Sequence, residues 1–128
     1  MALGVNIPVL RSFDEAKMRE FYCGFLGFEI LFEHRFGDNF PLYVGMARDG
    51  CSLHLSEHNG DCSPGAHVRI ATSALDALAQ ELSSKAYTFA KPVVEVQPWG
   101  LREMTLADPF GNRLTFFEPS PAAPSTMR

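Results

Sequence analysis

The side chains able to do chemistry in this chain are few, and their spacing is that of strands. His54 stands in "CSLHLS" and His67 in "AHVRIA", each alternating with apolar neighbours. Along a strand successive side chains take opposite faces. Leu53 and Leu55 therefore point one way, and Ser52, His54 and Ser56 the other. Likewise Ala66, Val68 and Ile70 separate from His67 and Arg69. Two imidazoles can hydrogen-bond a ligand or coordinate a metal, but a catalytic metal ordinarily has three protein ligands. A metal at His54 and His67 would need a borrowed carboxylate, such as Glu103 or Glu57. His58 is four residues from His54. On a helix that would suggest a pair, but along a strand it is ~13 Å. His34 reads as a solvated strand residue. Cys62 precedes His67 by five residues, and a thiol–imidazole nucleophile would need the two in contact. A linker cysteine is most often only that.

The single tryptophan, Trp99, lies in "QPWGLRE". Pro98-Trp99-Gly100 reads as a turn, and turns lie at the surface. A ring held there can stack on a planar ligand. If the ligand is cationic, cation–π attraction adds roughly 0.5–2 kcal/mol. The plainer alternative is packing over a cleft rim or a partner subunit. Glu103 can meet a ligand cation or pair with Arg102. In the last strand Leu114 and Phe116 take the helix side, while Arg113, Thr115 and Phe117 face the cleft. The inner face thus holds histidines, arginines, a threonine and serines, which is polar enough to indicate a binding groove. The turn "DPFGN" (Asp108, Pro109, Gly111, Asn112) is structural first, aiming the last two strands. Gly24 and Gly27 lack a following phosphate-binding helix and make no nucleotide loop.

Composition bounds the partners. The chain has 128 residues, is 46% hydrophobic and 20% charged, and so is globular, with one domain's worth of core. Its formal net charge is −4 and there is no basic run, which argues against nucleic acid. No apolar stretch reaches the ~18 residues of a membrane helix. The N-terminus lacks the basic start and apolar run of a secretory signal. Cys23, Cys51 and Cys62 form no C-x-x-C pair. A cytoplasmic location is expected.

The elements that must position these groups occur in a repeated order. Residues 5–10 form a short apolar strand containing Pro8. Ser12 and Glu15 fit a capping box for a helix running to about Leu26, with Met18, Phe21, Tyr22 and Phe25 on its buried face. Strands are expected over residues 28–35, 40–48 and 51–57, with "RDG" as a hairpin turn. After the linker "HNGDCSPG" the order recurs. A strand spans 66–71, and a helix capped by Ser73 and Asp76 carries Leu75, Leu78, Ala79 and Leu82. Strands follow over 93–97, 101–107 and 112–118. The halves are offset by about 60 residues, with Ile7 corresponding to His67. The expected fold is α+β: paired βαβββ modules, about 4–57 and 66–118, forming a concave cleft. They make one domain over 1–119, followed by a disordered tail over 120–128.

Over residues 4–118 the chain resembles the vicinal-oxygen-chelate superfamily, the glyoxalase/bleomycin resistance/dioxygenase group, and within it the bleomycin-resistance (bleomycin-binding) proteins. The resemblance is carried by "IPVL", "FYCGFLGF" and above all "QPWGLREMTLADPFGNRLTFF". It implies a strand-swapped homodimer hinged at Pro8, with clefts at the dimer interface. It also implies sequestration of a bleomycin-like cationic glycopeptide antibiotic, bound whole and without chemical modification. Trp99 matches the tryptophan that stacks on the drug, and its aromatic partner should come from the loop holding Phe36 and Phe40.

The superfamily's enzymes bind a divalent metal through four strand positions, which align here with Ile7, His54, His67 and Thr115. Ile7 cannot coordinate and Thr115 is a poor ligand. No catalytic residue, cofactor or resident metal is therefore expected, and His54 and His67 are the only candidates should a metal bind. The expected ligand-binding set is Trp99, Phe36, Phe40, His54, His67, Glu103, Arg102, Arg113 and Thr115. A metal-dependent lyase or dioxygenase, and a binding protein for another aromatic natural product, are the alternatives. No nucleic-acid or membrane partner is expected.

Overall fold

The computed structural model describes residues 2–119, so the expected tail lies outside the described residues. The chain divides into two compact units, the first ending at Ala66 and the second beginning at His67.

In the first unit β1 (Val9–Arg11) is followed by a helix, α1 (Glu15–Met18), and then by β2 (Glu29–His34), β3 (Tyr43–Arg48) and β4 (Cys51–Ser56). The sheet order is β1-β4-β3-β2, with β1 parallel to β4 and the other pairs antiparallel. The second unit repeats this order with β5 (His67–Ala71), α2 (Leu75–Ser84), β6 (Glu95–Val96), β7 (Leu101–Ala107) and β8 (Arg113–Pro119). Its sheet runs β5-β8-β7-β6, with β5 parallel to β8. The duplicated βαβββ order is therefore real, and the fold is α+β.

α1 continues into a π-helical stretch over Arg19–Phe25, where Leu26 N–H reaches back five residues to the Phe21 carbonyl (2.9 Å). Met18, Phe21, Tyr22 and Phe25 are buried, as their spacing suggests. With Leu10, Val44, Met46, Leu53 and Leu55 they make the first unit's core. Gly27 closes the helix at φ 76°, a left-handed conformation that suits glycine. Beside it, Arg48 donates to the Leu26 carbonyl (2.8 Å). The second core gathers Leu75, Leu82, Met104, Leu106, Leu114 and Phe116.

The helix caps differ from those expected. Asp14, not Ser12, caps α1, accepting from Lys17 N–H (2.9 Å). Glu15 is taken by Arg19 and Arg35 instead of closing a capping box. At α2 the N-cap is Ala74, and Ser73 plays no capping part. Thr72 Oγ1 accepts from Ala74 N–H (3.1 Å) and Glu118 from Leu75 N–H (3.4 Å), while Asp76 pairs with Arg102. Three strands are three residues shorter than expected, and β3 begins at Tyr43 and not at Phe40. β1 begins only after Pro8, which has no N–H to give a ladder. The Pro8 carbonyl still accepts from His54 N–H (3.0 Å). β6 keeps only two residues.

Candidate functional site

On the second sheet, β-pairing sorts the residues by face. Thr115 lies opposite Arg69 and Thr105, Phe117 opposite Ala71 and Glu103, and Arg113 opposite His67 and Ala107. This is the face away from α2, and it carries the polar set that alternation assigns to it. Leu114 and Phe116 are buried on the other side.

Trp99 stands on the turn between β6 and β7. Gln97 N–H bonds to the Leu101 carbonyl (2.8 Å), Gly100 N–H to the Gln97 carbonyl (3.1 Å), and Gly100 takes φ 88°. The indole is 47% exposed, which rules out a core ring. It is nonetheless held: its Nε1–H donates to Glu103 Oε2 (3.0 Å), and Arg69 Nη2 donates to the same oxygen (2.6 Å). The Arg69 guanidinium in turn lies over the Phe117 ring at 4.8 Å, a contact worth about 0.5–1 kcal/mol when exposed. Glu103 is only 7% exposed. The hydrogen bond from Arg69, above all, holds its carboxyl below the usual carboxylate range. Glu103 thus serves as the anchor between Trp99 and Arg69 and is not a free acceptor for a ligand cation.

Further along this face, His67 Nε2 and Thr115 Oγ1 are 2.7 Å apart, and the Thr115 and Thr105 hydroxyls 2.8 Å. Thr115 is buried. Arg113 is exposed at the end of β8. Arg102 requires a correction. It sits one residue from Glu103 and so takes the opposite face, where Asp76 and Glu118 hold its guanidinium. It clamps α2 to the sheet and does not belong with the open-face residues. The pairing of Glu103 with Arg102 likewise gives way to Glu103 with Arg69.

The first sheet also presents a polar and aromatic open face. The Tyr43 hydroxyl and His54 Nδ1 are 2.7 Å apart. The Phe32 ring is nearly parallel to Tyr43 (6.2 Å, 15°) and meets His54 edge-on (5.2 Å). Phe32 reaches this face through an irregularity in β2. Ile30 pairs with Met46 and Phe32 with Gly45, leaving Leu31 extra, a β-bulge that turns the following side chain over. Gly45 makes the space: a Cβ there would lie 2.0 Å from the Phe32 ring. Gly45→Ala is therefore expected to push Phe32 off the sheet at a stability cost of about 1–3 kcal/mol. A denaturant melt, with the Phe32–His54 contact followed by NMR, would check it.

Phe36 and Phe40 are exposed at 72% and 55%. Phe36 meets His34 and His58 edge-on, whereas Phe40 lies over Gly37. Phe32 and Tyr43 were not singled out from the sequence, and neither was Arg69 as the partner of Glu103.

A divalent metal does not suit the donor set. Ile7 offers no donor, the Thr115 hydroxyl is engaged with His67 and Thr105, and Glu103 is spent on Arg69 and Trp99. Glu57 accepts from Leu42 N–H (3.0 Å). Among the described residues no three His, Cys, Asp or Glu side chains gather for a metal. Nor are the thiols activated: burial raises Cys23, Cys51 and Cys62 above the ordinary cysteine range.

Two four-stranded mixed sheets, each repeating βαβββ, define the glyoxalase/bleomycin-resistance fold. The chain belongs to the glyoxalase superfamily, matching the family described as "Glyoxalase superfamily protein" over residues 1–122. Among solved structures, an antibiotic binding protein, TnmS3, from Streptomyces sp. CB03234 is 26% identical (94% of this chain, 99% of that one, TM-score 0.71). A bleomycin-binding protein complexed with bleomycin is 22% identical (92% and 100%, TM-score 0.70). A glyoxalase-related enzyme from Clostridium phytofermentans is 23% identical (93% and 97%, TM-score 0.72). The last two likenesses show the fold alone. No match is found among curated proteins. Among the described residues no helix is long and apolar enough to cross a membrane.

Proposed function

We propose that this chain is a non-catalytic binding protein that takes up a glycopeptide antibiotic of the bleomycin class, stacking on its flat aromatic rings, and holds it without making or breaking a bond. The observation that carries this is Trp99: a half-exposed indole, raised on a turn and fixed by Glu103. Such a ring offers a stacking face at little ordering cost, because its rotamer is set before the ligand arrives. The likeness to an antibiotic binding protein at 26% identity over 94% of the chain supports the same reading. His67 and Arg113, exposed on the same sheet, would hydrogen-bond the ligand's polar edge.

The working form in this reading is a homodimer exchanging its N-terminal segment at Pro8. The apolar side chains Leu3 and Val5 are 98% and 82% exposed, as a segment awaiting a partner surface would be. Light scattering at micromolar concentration should give a dimer, and a clean monomer would refute this part.

The decisive test is calorimetric titration with bleomycin, metal-free and copper-loaded, beside metal analysis of the purified protein. Saturable binding of intact drug is expected, without stoichiometric zinc, nickel, manganese or iron. One tight metal per subunit, abolished by both His54→Ala and His67→Ala, would replace this reading with a metal-dependent lyase or dioxygenase. Binding of a different aromatic natural product in place of bleomycin would keep the mechanism and change the ligand.

A further inference from the structure

The chain has asparagine at Asn6, Asn39, Asn59 and Asn112, and only Asn59 is followed by glycine. The residues after the others are Ile7, Phe40 and Arg113, whose side chains crowd their own backbone nitrogens. Asn112 is also shut in: it is 0% exposed, and its Nδ2 donates to Asp108 Oδ2 (2.8 Å). Asn59 and Gly60 are both exposed, at the tip of a turn that follows β4. One bond closes this turn, from Asp61 N–H to the His58 carbonyl (3.2 Å). No other described residue engages the Asn59 amide or the Gly60 N–H. Gly60 is open on its side-chain face, with nothing within 4 Å of the place a Cβ would take.

An asparagine side-chain amide can be attacked by the backbone nitrogen of the next residue, once that nitrogen has lost its proton. Glycine suits the attack because it has no Cβ to block the approach and its backbone turns freely. Within a helix or a sheet ladder the backbone would be held and the two groups kept apart. Here only one exposed turn bond has to open, and such local openings lie at the low end of a protein's stability range.

We propose that Asn59 is a site of spontaneous deamidation, turning into a mixture of isoaspartate and aspartate. The Gly60 nitrogen bonds to Asn59 Cγ, the Cγ–Nδ2 bond breaks, and Nδ2 leaves as ammonia, taking up the proton that Gly60 gave away. Water then opens the succinimide ring. Attack at Cγ gives aspartate. Attack at the backbone carbonyl carbon gives isoaspartate, in which the chain runs on through Cγ. Water is the only co-reactant, and nothing is oxidised or reduced. Either product adds a carboxylate two residues from Glu57 and two from Asp61. Isoaspartate also lengthens the turn by one backbone carbon, which strains the bond from Ser56 Oγ to Asp61 Oδ2 (2.6 Å). The site stands independently of the ligand reading above.

The test is incubation of the full chain in mildly acidic and mildly alkaline buffer, followed by cleavage after glutamate and mass spectrometry. That cleavage separates residues 58–81 from Asp49-Gly50, a pair that forms the same ring without a change of mass. The 58–81 peptide should gain the mass difference between an amide and a carboxyl group, with fragmentation assigning it to residue 59. The gain should be faster in alkali, and isoaspartyl methyltransferase should label the same peptide. Gly60→Ala should slow it about tenfold, an added barrier of about 1.4 kcal/mol. Gly60 is not in the left-handed region, so alanine keeps the turn. Asn59→Gln, which would need a larger ring, should abolish the gain. The denatured chain in the same buffer sets the interval. Conversion of the denatured chain while the folded one stays unchanged would overturn the proposal. Equal rates in wild type and Gly60→Ala would overturn the succinimide route. An earlier gain at Asn6, Asn39 or Asn112 would overturn the choice of site.

Discussion

Trp99→Ala is expected to weaken bleomycin binding by about 1–3 kcal/mol, the range for aromatic stacking on planar bases. That is roughly 5- to 150-fold in Kd. Folding stability should change little, because a ring 47% exposed on a turn gives up few core contacts. Trp99→Phe keeps a flat face and should retain most of the affinity, losing only what the indole N–H bond to Glu103 contributes to orientation. Trp99 is the only tryptophan, so its emission reports on this turn alone, and a stacked ligand should quench or shift it. The measurement is a fluorescence titration with a denaturant melt for wild type and both variants. Emission unchanged at saturating bleomycin, together with a stability loss of about 3–5 kcal/mol in Trp99→Ala, would take Trp99 out of the binding site.

Glu103→Ala should cost both stability and binding. It removes the shared acceptor of Arg69 and Trp99. Breaking a buried pair costs about 3–5 kcal/mol. Here Arg69 is 41% exposed and can turn to water, so about 1–3 kcal/mol is expected. Glu103→Gln keeps an oxygen for the indole N–H and should restore most of the binding but not the ion pair. The acid response has a definite sign. The carboxyl of Glu103 is held below its ordinary value of 4.5, so its contribution is present above that value. It is lost as pH falls through the lower, folded value. Wild type should therefore lose stability relative to Glu103→Gln below about pH 4.5, with a change in Trp99 emission over the same interval. Parallel acid melts of the two proteins would show that Glu103 anchors nothing.

Much of this was legible from alternation alone. β4, β5 and β8 each keep one face on a core, so period-two reading sorted His54, His67, Arg69, Arg113, Thr115 and Phe117 correctly. The helix stripe of Met18, Phe21, Tyr22 and Phe25 was equally plain, even though the backbone there is π-helical. Three things were not legible. Ser12 and Glu15 have the spacing of a capping box, yet Asp14 lies nearer the first free N–H groups. Arg102 and Glu103 were grouped by the family motif "WGLRE", although neighbours on a strand cannot share a face. Phe32 was passed over because period two assigns it to the side of Ile30, and nothing in "EILFEH" announces an extra residue.

That extra residue makes the inheritance of this face a matter of counting. In β2 the side chain presented beside His54 is set by its pairing with Gly45, not by its distance along the chain from Ile30. Deleting Leu31 would remove the bulge and leave Phe32 opposite Gly45, on the same face as before, with the other pairs still in register. A relative lacking that one residue could therefore present the same surface from a strand one residue shorter. For the same reason, aligning such relatives without a gap at Leu31 would pair Phe32 with residues that face the other way, and the two proteins would look less alike at the site than they are.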